Sequence, residues 1–136
     1  MKTLCGLLTF ILSLVQSNYI PSVKILIIDD EQLGLFISKK LLSLEFEVEG
    51  FTSIPDAVQW ARNNSFDVLI SDYYLGTGIH APNALKEIVA VKGKIFKSFV
   101  LSNHIDERQA EELKAAGFDG VIEKPLTLDK FKSVIK

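Results

Sequence analysis

The chain has 136 residues, of which 48% are hydrophobic and 24% charged, so it can build one domain with one core and is not a disordered protein. The 15 Lys and Arg against 17 Asp and Glu leave a formal charge of -2, which excludes a strongly basic nucleic-acid-binding surface. One cysteine and two histidines exclude a disulfide framework and a zinc site built from Cys and His.

The first 20 residues differ from the rest, because no charged residue occurs between Lys2 and Lys24. Residues 4–15 are mostly apolar, but this stretch is shorter than the ~20 residues that span a bilayer. We predict a hydrophobic segment over residues 1–20 and a separate domain over 21–136. Three interpretations of the segment stay open: a secretory signal or membrane anchor, a helix packed on the domain or on a dimer partner, and an upstream extension without a role.

Short apolar runs alternate with amphipathic ones from Lys24 onward. Lys24–Ile28 is a continuous β-branched-rich run, typical of a strand buried in a parallel sheet, whereas Phe46–Phe51 alternates as an edge strand does. Between them, five apolar residues have the spacing of one helix face: Leu33, Phe36, Ile37, Leu41 and Leu44. Ser53 begins a second helix, whose inward positions are Ile54, Ala57, Val58 and Ala61.

The same pattern repeats three more times. We predict strands over Val68–Ile70, Ile95–Leu101 and Val121–Ile122. A loop over Gly76–Pro82 leads to the third helix, and a fourth helix runs from about residue 106 to 116. Thr127 is expected to cap the last helix. Five strand-then-helix units predict an α/β fold, a doubly wound five-stranded parallel sheet with helices on both faces.

Functional sites of such sheets form outside the carboxyl ends of the strands, so the residues there are the candidates. Asp29 and Asp30 follow the first strand, Asp72 the third, Ser102 the fourth and Lys124 the fifth. Three carboxylates at one edge repel one another unless a cation is bound, and an all-oxygen set suits Mg²⁺. Taken singly, each residue is explained as a turn, cap or surface residue, so the joint placement carries the argument.

Four segments show a resemblance to a known family: ILIIDDE, VLISDYYLG, FVLSNH and AAGFDGVIEKPL. With the spacings between Asp30, Asp72, Ser102 and Lys124, they resemble a response-regulator receiver domain of two-component signalling, of the stand-alone chemotaxis type. The resemblance covers the chain from Lys24 onward and implies a flavodoxin-like fold of five β/α units.

The resemblance also implies roles for individual residues. Asp72 matches the phospho-accepting aspartate. Asp30 matches an acidic Mg²⁺ ligand and Asp29 its neighbour, acting directly or through water, and the backbone carbonyl of Tyr74 matches the third protein ligand. Ser102 matches the hydroxyl that turns toward the phosphoryl group and Lys124 the lysine that pairs with it. Pro125 matches a proline that often follows a cis bond.

The resemblance implies a signalling protein that is not an enzyme apart from Mg²⁺-dependent self-phosphorylation and slow autodephosphorylation. Its expected partners are a sensor histidine kinase or phosphotransfer protein and a downstream protein target, without nucleic acid. Partner binding is expected to change at the face of the fourth helix, fifth strand and fifth helix. A cytoplasmic location follows from the need for a kinase, with membrane association through residues 1–16 as an alternative. The chain is a whole stand-alone receiver or a piece of a hybrid kinase.

Two departures from the family pattern leave other functions open. Val121 stands where the family usually has a rotating Tyr or Phe, and the loop Gly76–Pro82 replaces a more regular turn. A degenerate receiver that acts as a constitutive protein-interaction module is therefore one alternative. A phosphohydrolase of the haloacid-dehalogenase kind is another, but it needs an Asp two residues after Asp29, where this chain has Glu31.

Overall fold

The computed structural model describes residues 22–136, so the predictions for residues 1–20 and 1–16 lie outside the described residues. Five parallel strands form the main sheet in the order β2-β1-β3-β4-β5. Their bounds are β1 Lys24–Ile28, β2 Glu47–Phe51, β3 Val68–Asp72, β4 Lys97–Ser102 and β5 Gly120–Glu123. The reversal of strand order between β1 and β3 is the switch point of a doubly wound sheet, as predicted.

Five helices in the described part of the chain cover the two faces of this sheet. Their bounds are α1 Gln32–Leu42, α2 Ile54–Asn63, α3 Ala81–Lys92, α4 Glu107–Ala116 and α5 Leu128–Ile135. Alternate residues of β1 face opposite cores: Leu26 and Ile28 pack with α2, α3 and α4, and Ile25 and Ile27 pack with α1 and α5. Both sheet faces are thus buried, which explains the continuous apolar runs of the central strands.

The predicted helix ends are confirmed where side chains cap them. The Ser53 hydroxyl accepts a hydrogen bond from the Asp56 backbone N–H, and Thr127 caps α5 in the same way. Gly117 ends α4 in the left-handed conformation, with φ of 109°, which a glycine adopts without strain. These ends fix where each chain segment turns back toward the next strand.

The apolar face predicted for α1 points outward. Leu33, Phe36, Ile37 and Leu44 are exposed, whereas Leu42 is fully buried and Leu35 packs against the core. Both sides of this helix carry apolar residues, so their spacing does not decide which side is inward. The strand predicted from Ile95 also begins later, at Lys97, and Ile95 is 79% exposed.

The prediction of a loop over Gly76–Pro82 is wrong. Tyr74–Gly76 and Ile79–His80 pair as a short antiparallel hairpin, and α3 begins at Ala81 with Pro82 in its first turn. Gly76 and Gly78 both have positive φ, the conformation that lets the chain reverse so tightly. Within residues 22–136, every helix is too short or too polar to cross a membrane.

Candidate functional site

The ends of β1 and β3 bring three carboxylates together. The two strands are direct neighbours, and Ile28 is opposite Ser71, so the residues that follow each of them meet at one edge. Asp29, Asp30 and Asp72 each offer an oxygen, and these oxygens all lie within 4.8 Å of one another. The three residues therefore form the acidic cluster that the sequence predicted.

Asp29 is the buried member of the acidic cluster, with 4% of its surface exposed. Its Oδ1 accepts a hydrogen bond of 3.0 Å from the Glu31 backbone N–H. Burial raises the pKa of its carboxyl, and the negative charges of Asp72 and Asp30 act in the same direction, while the Glu31 N–H and Lys124 oppose them. The protein therefore holds this carboxylate in an environment that disfavours its charge.

Asp30 is exposed and does not cap α1, because Glu31 occupies the position before the helix. A role as helix cap, the structural explanation for an Asp at this point, is thus not realised. Exposure leaves the Asp30 carboxylate open to a ligand approaching from solvent. Glu31 itself contributes its backbone N–H to Asp29, and its side chain makes no cap.

Lys124 supplies the positive charge at this edge. Its Nζ lies 2.9 Å from Oδ1 of Asp72, and both side chains are mostly shielded from solvent. The Lys124 backbone N–H donates to the Ser102 carbonyl, which fixes the lysine as the chain leaves β5. The peptide bond from Lys124 to Pro125 is cis, in agreement with the family resemblance.

Ser102 is buried at the end of β4, and its hydroxyl donates to the carbonyl of His104 at a distance of 3.4 Å. A cavity of about 340 Å³ opens beside it, lined by Ser102, His104, Ile105, Ala110, Val121 and Glu123. Val121 is 37% exposed and forms part of the cavity wall. The loop between β4 and α4 therefore has room to move next to the hydroxyl.

Tyr74 begins the hairpin directly beyond the acidic cluster. Its ring contacts the rings of Tyr73 and His80, with centroids 4.8 and 5.3 Å away, although 60% of the residue is exposed. The Tyr73 carbonyl also accepts a hydrogen bond from the Ala81 N–H. The sequence did not predict this aromatic packing, although Gly76 and Gly78, with one residue between them, indicate a tight turn at this point.

The chemistry of the donor set suits a small divalent cation. All three side chains of the acidic cluster present oxygen, which Mg²⁺ prefers, and their mutual repulsion favours a bound positive charge. Lys124 neutralises only one of the three negative charges, so the cluster keeps a net charge of about -2 when all are ionised. The site can therefore hold a cation, and the adjacent ammonium and hydroxyl groups can contact an anionic group.

The family model and the similar solved structures indicate the same protein family. Residues 25–136 match the family described as response regulator receiver domain. No curated protein matches the chain. Among solved structures, the response regulator receiver domain protein from Clostridium thermocellum is similar at 28% identity, with a TM-score of 0.72 over 83% of this chain and 90% of that one.

Two further solved structures share the fold at lower identity. Chemotaxis protein CheY4 of Vibrio cholerae is 23% identical with a TM-score of 0.73, covering 84% of this chain and 96% of its own. A response regulator from Burkholderia pseudomallei, solved with a phosphorylated aspartic acid, a calcium ion and citrate, is 16% identical with a TM-score of 0.74, covering 85% and 67%. The chain belongs to the response regulator receiver domain family of two-component signalling.

Proposed function

We propose that this receiver accepts a phosphoryl group from a phosphohistidine donor onto Asp72, with Mg²⁺, and thereby changes its binding to a downstream protein. The observation that carries the proposal is the ion pair of 2.9 Å between Lys124 and Asp72 at the edge where the acidic cluster meets. A carboxylate nucleophile, two further acids and an ammonium group are together at one surface. Such a set binds a divalent cation and a phosphoryl group at the same time.

Asp29, Asp30 and Asp72 are the side chains that would hold Mg²⁺, with the Tyr74 backbone carbonyl as the ligand implied by family resemblance. When bound, Mg²⁺ supplies charge stabilisation to the oxygens of the transferring group. An Asp72 carboxylate oxygen attacks phosphorus, so that an oxygen–phosphorus bond forms as the phosphorus–nitrogen bond to the donor imidazole breaks. Lys124 is placed to offset the negative charge added at Asp72.

Ser102 is the group that would report the new charge. Its present bond to His104, at 3.4 Å, is long for a hydroxyl donor, so turning the hydroxyl toward a phosphoryl oxygen sacrifices little. The released loop would then move into the neighbouring cavity. Because α4 follows this loop directly, the change reaches the face of α4, β5 and α5, where a partner would bind.

The partners of this cycle are expected to be proteins. A sensor histidine kinase or a phosphotransfer protein would be the donor, and a downstream protein would bind the altered face. Because such a donor is charged with ATP, we place the receiver in the cytoplasm. The receiver itself would catalyse only its own phosphorylation and its slow dephosphorylation.

Phosphorylation with a small donor tests the proposal directly. Incubation with acetyl phosphate and Mg²⁺, followed by intact-protein mass spectrometry, should show the addition of one phosphoryl group. Asp72→Asn should abolish labelling, while Asp56→Asn, which removes an exposed carboxylate on α2, should label like the parent. Absence of labelling in the folded parent with Mg²⁺ present would refute the assignment.

One observation supports an alternative, a degenerate receiver that binds a partner constitutively. Val121 offers no aromatic ring to swing between exposed and buried positions beside the Ser102 loop. Amide spectra with and without beryllofluoride, which mimics a phosphoryl group on the acceptor, discriminate between the two functions. The proposed switch requires shifts throughout Ser102 to Lys124, whereas binding of beryllofluoride without shifts there favours the alternative.

A further inference from the structure

Gly34, in the first turn of α1, lies against the buried carboxylate of Asp29. A Cβ atom added to this glycine would stand 2.7 Å from Oδ2 of Asp29. The next two nearest atoms, at 3.6 and 3.8 Å, are Cγ and Oδ1 of the same side chain. The Asp29 carboxylate thus occupies the space that a side chain at position 34 would need, and no other residue lies as close to it.

We propose that Gly34 is a positioning residue: its missing side chain leaves the place in which the Asp29 carboxylate is held in the orientation for cation binding. The inference rests on the proposed function, since it concerns the Mg²⁺ site of that function. Glycine is a weak helix former, and in α1 its φ is not positive, so backbone conformation does not demand it. The position of the Asp29 carboxylate is instead what leaves no room for a side chain at residue 34.

Each oxygen of the Asp29 carboxylate has a neighbour that restricts its position. Oδ1 accepts the Glu31 backbone N–H at 3.0 Å, and Oδ2 lies 2.7 Å from the position that a Cβ atom of residue 34 would take. The Asp29 backbone N–H in turn donates to the Phe51 carbonyl, so the strand end cannot easily retreat. A methyl group at position 34 would therefore push the carboxylate rather than the strand.

α1 is equally unable to move away. Its inward side is buried against the sheet through Ser38 and Leu42, and Leu35, next to Gly34, packs on the same core. The carboxylate would be displaced by a few tenths of an ångström or more, and it would lose its alignment with Asp30 and Asp72. Groups that orient metal ligands affect affinity about 10- to 100-fold when they are changed.

Gly34→Ala tests the inference, with Gly120→Ala as the matched control. At Gly120, the first residue of β5, an added Cβ would meet Phe99 at an ordinary 3.4 Å and would not approach the acidic cluster. Calorimetric titration of each folded protein with Mg²⁺ should show Gly34→Ala weakened by about tenfold or more and Gly120→Ala unchanged. Equal Mg²⁺ affinity in Gly34→Ala and parent would overturn the inference.

A second readout needs no metal. The Glu31 amide reports the hydrogen bond to Asp29, so its NMR shift should change in metal-free Gly34→Ala and stay unchanged in Gly120→Ala. A parent that binds no Mg²⁺ would refute the proposed function, while a Glu31 amide that is unchanged in metal-free Gly34→Ala would refute the displacement of the Asp29 carboxylate.

Gly34→Ala could also fail to fold. In that case Gly34→Ala combined with Asp29→Ala should restore folding, because the carboxylate that the methyl group meets is then gone. Circular dichroism and urea unfolding measure the recovery. If the double variant stays unfolded while Asp29→Ala alone folds, the clash lies elsewhere and the inference is wrong.

Discussion

Replacing Asp29 by Asn should stabilise the metal-free protein. Two unit charges 4.8 Å apart, the distance within which the three oxygens of the acidic cluster lie, repel by about 0.9 kcal/mol in water and about 3.5 kcal/mol at an effective dielectric constant of 20. The Asp29→Asn substitution removes the repulsion with Asp30 and Asp72 but keeps an oxygen for the Glu31 N–H. Because Lys124 already offsets part of the charge, we expect a gain of about 1–3 kcal/mol.

The pH dependence of this gain follows from the pKa of Asp29, which lies above the ordinary carboxyl value. The native parent binds this proton more tightly than the unfolded chain, so its stability falls as pH rises from about 3.8 through the native pKa. The amide of the variant does not titrate. The advantage of the variant is therefore small in acid, grows over that interval and is complete above the native pKa.

Urea unfolding in EDTA at low ionic strength, repeated across the pH range, measures the difference. Added salt should reduce it, since the repulsion is partly screened. Mg²⁺ at ten times its dissociation constant should stabilise the parent by about 1.4 kcal/mol and leave the variant nearly unaffected. Glu112→Gln, which removes an exposed charge of α4, is the control and should change little. A metal-free variant as stable as the parent or less stable would refute the electrostatic reasoning.

Two further predictions concern single charges. Lys124→Met should cost about 1 kcal/mol of metal-free stability and tighten Mg²⁺ binding, because the acidic cluster loses its cation; calorimetry that shows weaker binding would contradict this. Burial tends to raise the pKa of Asp119, but hydrogen bonds from the Ser98 N–H and Lys94 outweigh it and hold the pKa below its usual range. Asp119→Asn should therefore lose about 1 kcal/mol at neutral pH, and urea unfolding should show that loss vanish as pH falls through the native pKa; a loss that persists in acid would exclude this cause.

The order of strands and helices was predictable because strand ends and caps depend on local sequence. Buried parallel strands have continuous apolar runs, and Ser53, Thr127 and Gly117 form their caps within a few residues of themselves. Once the strand ends were placed, the parallel topology was enough to bring Asp29, Asp72 and Lys124 to one edge.

What the sequence did not predict depends on side-chain contacts that the pattern of apolar and polar residues does not specify. The orientation of α1 is one case: Phe36 and Leu42 are both apolar, and only packing against the sheet shows that Leu42 is the buried one. The hairpin after Asp72 is another, because its aromatic contacts join Tyr74 to His80 across a turn. Gly34 is the third, since its neighbour Asp29 is known only from the distance between them.

Because position 121 is Val and not an aromatic residue, the proposed switch must work without the movement of a ring. Phosphorylation replaces the single negative charge of the Asp72 carboxylate with a phosphoryl group carrying about 1.5 to 2, a net addition of about one at most, and this group can shift a conformational equilibrium only through groups that contact it differently in the two states. Lys124 already pairs with Asp72, so its contact changes less than that of Ser102, whose hydroxyl now faces the His104 carbonyl. Val121 cannot add a ring movement. The loop from Ser102 to Asp106, which directly precedes α4, must therefore carry the change.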